Sequence, residues 1–405
     1  MNLVSHMKIL WASPNTLLDT ANGAALAVRE ILRQLSKRGC DVRILGGTIF
    51  VNPNGMSYFH EVWPRLAGKQ GQFILYRDGE LEHRLMITQR IERRLMLSYE
   101  ERLWFDDYCR MLDEFNPDLV LFFDNSLITL LTADEARRRS IPAVVYLAHG
   151  NNRGSRWCRD VSLMITDTQA TANLYRLREN YDLVPVGTFI DPARYRAEGG
   201  THTNVLFINP SLEKGAVFVI QLALMMEKTR PDIRFEVVES RSRWQDVLRM
   251  VTARLGEERT ELGNVLLTPN VQDMRPVYAR AKVLLVPSVW WDSGPRVIVE
   301  AMLNGVPVLG SSSGGIAENV GEGGMIIDFP PAYLQPPYDK LFDESLLTVA
   351  RDWIVRLYDD EAYGKSLSQA ALRAHAELHD MNKNTDRVLL ALEDVVAKTR
   401  KPALK

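Results

Sequence analysis

Two carboxylates eight positions apart carry the strongest chemical signal in this sequence. They lie in the stretch Pro287-Ser288-Val289-Trp290-Trp291-Asp292-Ser293-Gly294-Pro295-Arg296-Val297-Ile298-Val299-Glu300-Ala301-Met302. An apolar run ending at Val286 reads as a strand, and a tight turn follows it. Pro295 suits the first position of a helix, with Ser293 or Asp292 as its cap. The free N–H groups of such a helix start attract an anion. Glu300 falls about one turn inside the helix and Asp292 on the loop before it. The two acids can therefore flank one ligand whose hydroxyls donate to them. A plain helix cap followed by an ordinary helical glutamate accounts for the same residues.

Three more stretches carry candidate chemistry. Asn209-Pro210-Ser211-Leu212-Glu213-Lys214-Gly215 follows a strand directly, and Lys214 there can serve as a point charge for phosphate or as a solvated turn lysine. Ser311-Ser312-Ser313-Gly314-Gly315-Ile316-Ala317-Glu318 places two glycines after a strand, which permits close backbone approach to a ligand or makes a plain turn. His149-Gly150 follows a strand ending at Leu147, where a histidine points toward a ligand cleft or is satisfied structurally.

The elements that must position these residues read as strand–helix–strand units. Lys8–Ala12 is a short buried strand. Val28, Ile31, Leu32 and Leu35 then recur at helical spacing, Gly39 stops the helix, and Val42–Leu45 is the next strand. Further strands fall at Leu119–Phe123, Ala143–Leu147 and Leu163–Ile165, with a charged helical stretch from Ile87 to Phe115. The second half restarts with a strand at Asn204–Ile208, a helix at Ala216–Lys228 and a strand at Arg234–Val238. Strands at Val265–Leu267 and Val283–Val286, a helix from about Pro295, and a strand at Val306–Leu309 follow. Residues 191–203 are polar, with Pro192 and Gly199-Gly200, and mark a boundary. The expected organisation is an N-terminal Rossmann-like domain over 7–190, a second over 204–375, and a C-terminal helix over 376–400 that packs back on the first. Two doubly wound domains in tandem imply a cleft facing the carboxyl ends of both sheets.

Composition narrows the function classes. The chain has 405 residues, 46% hydrophobic and 25% charged, with a net charge of −2, so nothing points to nucleic acid or an anionic membrane. Three scattered cysteines, Cys40, Cys109 and Cys158, give neither a disulfide framework nor a zinc knuckle and fit a cytoplasmic location. No apolar run reaches the ~18 residues that cross a bilayer. Met1–His6 are set aside as a candidate expression remnant. The segment 87–110 leaves room for peripheral membrane contact, but its acidic residues favour a packed surface helix pair. His375 and His379, four apart, read as a solvated helix face rather than a zinc pair.

Taken in order, the chemical stretches resemble the family 4 glycosyltransferases of the GT-B fold, from Met7 to about Leu378. The resemblance rests on Asp292-x7-Glu300, Ala301-Met302, Gly305-Val306-Pro307-Val308 and Gly314-Gly315-x-x-Glu318. Asp167–Thr171 and Gly187–Asp191 resemble the family's inter-domain segment. It implies two facing Rossmann-like domains, with an acceptor side in the first and a nucleotide-sugar donor side in the second. Glu300 would bind ribose hydroxyls and Asp292 the donor sugar. Lys214, helped by backbone around Gly294, Arg296, Gly314 and Gly315, would neutralise the diphosphate. His149 would sit near the sugar, and Gly23 would approach the donor phosphate or the acceptor. This chain has Asp292 where relatives carry Glu, Asn209 where many carry Arg (with Arg296 as the cation in reach), Pro295 for a glycine, a single Gly23, and Glu239-Ser240 for glycines.

The resemblance implies retaining transfer of a sugar from a nucleoside-diphosphate sugar, a UDP- or GDP-sugar first, to an acceptor hydroxyl that the sequence does not identify. No metal or other cofactor is expected, since Lys214 and a helix start supply positive charge and no Asp-x-Asp lies on a suitable loop. The alternatives are a sugar-nucleotide epimerase or hydrolase on the same fold, and a non-catalytic sugar-nucleotide-binding protein. A dehydrogenase is disfavoured by the absence of GxGxxG after the first strand.

Overall fold

The computed structural model describes residues 7–123, 126–240 and 242–400, so Met1–His6 lie outside the described residues. The chain forms two compact units. The first runs to Phe189 and takes up the chain again from Met381; the second is Ile190–Asp380.

The first unit holds an eight-stranded sheet: β1 (Lys8–Ala12), β2 (Asp41–Gly47), β3 (Phe73–Asp78), β4 (Leu81–Met86), β5 (Leu119–Phe123), β6 (Ala143–Leu147), β7 (Leu163–Thr166) and β8 (Leu183–Pro185). Their order is β3-β4-β2-β1-β5-β6-β7-β8. Only β3 runs antiparallel, paired with β4 through a hairpin at Gly79-Glu80. Strand β1 shows why the strands read as unbroken apolar runs. Ile9 and Trp11 enter one core, with the helix Gly23–Lys37 and the terminal helix Met381–Arg400. Leu10 and Ala12 enter the other, with the helix Ser98–Phe115. Val388, Leu392, Val395 and Val396 of the terminal helix share the first of these cores with Ile31 and Leu35.

The second unit holds six parallel strands: β9 (Asn204–Ile208), β10 (Arg234–Val238), β11 (Val265–Thr268), β12 (Ala281–Val286), β13 (Val308–Ser311) and β14 (Gly324–Ile327). The order β11-β10-β9-β12-β13-β14 reverses direction between β9 and β12. Val205 and Phe207 of β9 face the helices Ala216–Thr229 and Glu344–Asp359. Leu206 faces the opposite core, with Ile298 and Met302. The sheets are those of the GT-B fold.

Several expected elements shift. Helix does not span Ile87–Phe115: β4 ends at Met86, a short 3-10 turn covers Arg93–Leu95, and one helix starts at Ser98. The helix pair expected there is therefore a single helix. The strand expected from Val306 begins at Val308. Val306 N–H still bonds Ala301 O and Gly305 N–H bonds Met302 O, so both residues close the preceding helix. The His375/His379 pair is not on a solvated face. His379 is 6% exposed, its Nε2 lies 2.8 Å from Asn319 O, and burial pushes its pKa down to about 4. Among the described residues, no three or more His, Cys, Asp or Glu side chains are grouped so as to hold a metal ion, and no described helix is long and apolar enough to cross a membrane.

One buried group sets a pH dependence. His83, on β4, is 0% exposed and neither ring nitrogen has a hydrogen-bond partner. Burial pushes its pKa down to about 3, against a smaller upward pull from Asp78. The folded state therefore needs the neutral ring. Its contribution is fully present above the unfolded pKa near 6.5 and is lost as pH falls toward 3, at about 1.4 kcal/mol per pH unit. Denaturant unfolding at pH 7 and pH 5 should show His83→Phe gaining about 1–2 kcal/mol on the wild type at the lower pH. An unchanged difference between the two proteins would show that His83 is not kept neutral.

Candidate functional site

Three loops of the second unit meet where the strand order reverses. In an open α/β sheet, ligands bind outside the carboxyl ends of the strands at this point. The loop after β9 carries Asn209 and Lys214, the loop after β12 carries Asp292, and the loop after β13 carries Gly314 and Gly315. Lys214 Nζ donates to Asp292 Oδ2, which also accepts from Ser288 Oγ at 3.2 Å. Asp292 is 8% exposed, so the paired ammonium offsets the cost of burying its charge. Lys214 also lies 5.9 Å from the centre of the Trp290 ring.

Backbone contacts fix the same three loops. Val289 N–H bonds Glu213 O at 3.0 Å, and Gly315 N–H bonds Asp292 O at 2.8 Å. Ser311 Oγ donates to Ser288 O, and Ser313 Oγ to Trp290 O, each at 2.6 Å. Two glycines are required by close approach. A Cβ on Gly215 would stand 2.0 Å from Pro287 O, and one on Gly314 would stand 2.0 Å from Asp292 O. Both residues have positive φ, 83° and 66°. Asn209 adopts φ 63°, a conformation that asparagine tolerates better than most residues, and its N–H bonds Val238 O.

The helix Arg296–Leu303 carries the second acid. It begins one residue later than expected, with Pro295 at the N-cap and no side chain capping it. Asp292 and Ser293 therefore do not cap it. Asp292 is drawn to Lys214 and Ser288 instead. Gly294 lies between Asp292 and the helix start. Glu300 is buried, with Tyr278 Oη donating to Oε2 at 2.7 Å and Arg296 Nη2 at 3.4 Å from Oε1. Burial pushes its carboxyl up, and Arg296 and Tyr278 oppose that shift. Arg296 also donates to Tyr195 Oη at 3.0 Å. The guanidinium expected to stand in for a phosphate cation is thus engaged with Glu300 and Tyr195. Sequence reasoning missed Tyr278 and Tyr195, since nothing about a lone tyrosine names a partner far along the chain, and it gave no role to Ser288, whose partner Asp292 lies only four residues on.

The first unit carries the remaining expected residues. His149 follows β6; its Nδ1 accepts from Asn151 N–H at 3.2 Å, which places the ring proton on Nε2. Its carbonyl accepts from Tyr175 Oη at 2.7 Å. Gly23 opens the helix Gly23–Lys37 behind the N-cap Asn22, and a Cβ there would meet nothing within 4 Å. The loops after β1 and β2, with residues 92–94, line a cavity of about 310 Å³ that includes Asn15, Asp19, Asn22, Phe50, Arg93 and Arg94.

Residues 204–335, within the second unit, match the family model "Glycosyl transferases group 1". No curated protein sequence matches the chain. Among solved structures, the chain is similar to the sucrose-phosphate synthase of Thermosynechococcus elongatus, with TM-score 0.68 and 14% identity over 97% of this chain and 100% of that one. A glycosyltransferase of Rickettsia africae aligns with TM-score 0.66 and 11% identity over 96% and 99%. HepE of Anabaena, solved with UDP and glucose, aligns with TM-score 0.65 and 17% identity over 96% and 100%.

The close approach at Gly314 is directly testable. Gly314→Ala should lower unfolding free energy by at least about 2 kcal/mol, from the strained backbone and the clash with Asp292 O. Equal stability of the two proteins in denaturant would show that the turn does not rest on Asp292.

Proposed function

We propose that this chain moves a sugar from a nucleoside-diphosphate sugar to an acceptor hydroxyl, with retention at the anomeric carbon and without a metal ion. The observation that carries the reading is the Lys214–Asp292 pair at the reversal point of the second sheet. It sets a cation able to bind a diphosphate beside a carboxylate able to accept from sugar hydroxyls. Before a donor binds, each group neutralises the other. A diphosphate entering this point draws Lys214 toward itself, and the oxygens of Asp292 are then available to hydroxyls.

The other roles follow from position. Glu300 takes the ribose hydroxyls. Gly294 and the start of the helix Arg296–Leu303, with the Gly314-Gly315 turn, bring backbone close to the phosphates. Asn209 lines the loop that presents Lys214. His149 acts as an Nε2–H donor toward the sugar, and Gly23 leaves room for a phosphate or an acceptor. No side chain needs to attack the sugar covalently, because stabilising the departing diphosphate and aligning the acceptor supply the rate. The cavity of the first unit, lined by amides, a carboxylate and guanidinium groups, suits a hydroxyl-rich acceptor. The UDP and UDP-glucose in the HepE structures make UDP-glucose the first donor to test.

A thermal-shift panel of UDP-, GDP-, ADP- and dTDP-sugars should raise Tm for one base, since a ligand that binds only the folded state stabilises it. With that donor, Lys214→Ala should lower turnover by about 10²–10³-fold. Wild-type turnover in that variant would remove the leaving-group role. Product formed at full rate with no acceptor present would replace transfer with hydrolysis or epimerisation.

A further inference from the structure

Glu300 is a buried acid whose two oxygens face different neighbours, and the difference assigns a task to a residue outside the loops described above. Tyr278 lies on the short helix Arg275–Arg280, immediately before β12, and is 0% exposed. Its hydroxyl donates to Glu300 Oε2 at 2.7 Å. The other oxygen, Oε1, has Arg296 Nη2 at 3.4 Å, beyond the usual N–H···O range. Tyr195 Oη accepts from the same Arg296 nitrogen at 3.0 Å and so draws it to one side.

We infer that Tyr278 is a positioning residue for donor recognition: its hydroxyl pins Glu300 Oε2 and so leaves Oε1 as the acceptor for the ribose diol of the nucleotide. The inference rests on the donor reading above. A carboxylate can rotate about its terminal torsion with little preference, so an unpinned Glu300 would spend much of its time presenting the wrong edge. A donor buried with it removes that freedom before the ligand arrives, and the ordering cost is then not charged against binding. Tyr278 suits the task because burial and the neighbouring Glu300 both push its phenol well above its ordinary value. The hydroxyl therefore stays protonated, and stays a donor, at any working pH. Burial alone would favour a neutral Glu300, and the hydrogen bond from Tyr278 opposes this together with Arg296.

The full-length chain with Tyr278→Phe, Glu300→Gln and the double variant tests this. The probe is whichever of UDP, GDP, ADP and dTDP stabilises the wild type most. Tyr278→Phe should weaken that nucleotide and raise the donor KM by about 10-fold, with kcat within about 3-fold, the loss expected for a hydrogen bond to a charged group. In the Glu300→Gln background the same change should cost less than about 2-fold, because an amide bonded to Tyr278 through its oxygen presents NH2 in place of the second acceptor oxygen. Wild-type affinity in Tyr278→Phe beside weakened Glu300→Gln would overturn the inference and leave the donor reading standing. An undiminished effect of Tyr278→Phe in the Glu300→Gln background would make it a packing residue only. Unchanged affinity in Glu300→Gln would remove the ribose role and the inference with it. Should Tyr278→Phe fail to fold, 3-fluorotyrosine at position 278 gives the answer in the native sequence. Its fluorine resonance should move on nucleotide addition and be insensitive to nucleotide in Glu300→Gln; no movement in the wild type would overturn the inference.

Discussion

One ion pair, its carboxylate buried and its ammonium half-buried, holds the second unit's site together. Lys214 and Asp292 come from loops 78 positions apart. Each would be costly to bury alone, and paired they are tolerated. Their pairing has a second consequence. The loop after β9 and the loop after β12 cannot move apart without separating two charges in a poorly solvated place. A sheet that reverses its strand order leaves an open crevice at that point. The pair sits where the crevice opens, so the same contact that ties the loops also presents charge to a ligand.

Around the pair, backbone does what side chains cannot. Gly215 against Pro287 and Gly314 against Asp292 bring main chain to main chain at distances that no side chain would allow. Ser311 and Ser313 then lock the third loop to the second through their hydroxyls. The polar groups are held by hydrogen bonds to neighbouring loops. Glu300 follows the same logic from the opposite side, enclosed by Tyr278, Arg296 and Tyr195.

Much of this was legible in the sequence. The strands of the second unit are short apolar runs closed by turn residues, and most were located within a residue or two. The loops are marked by Asp292, Lys214 and the Gly314-Gly315 pair only when these are taken together and in order, since each type alone is ordinary in a turn. What was not legible depended on long-range partners. Ser293 or Asp292 reads as a helix cap because capping is local, but a lysine 78 positions away takes Asp292. The β3–β4 hairpin went unread although Asp78-Gly79 between two alternating runs was its signal. Its residues read as mixed polar and apolar because one face is open: Leu75 is 62% exposed, while Leu81 and Leu85 are buried. Val306 looked like strand because its apolar type says nothing about the helix terminus that it closes.

The return of the chain's last helix to the first unit orders events during synthesis. The second unit is one continuous stretch and can close as soon as it has left the ribosome. The first unit must wait for Met381–Arg400, since Val388, Leu392, Val395 and Val396 fill a core begun by residues nearly four hundred positions earlier. Until then, the part of the helix Gly23–Lys37 that meets the terminal helix stays uncovered in the nascent protein. Its shielding comes only with the twenty residues of the terminal helix Met381–Arg400.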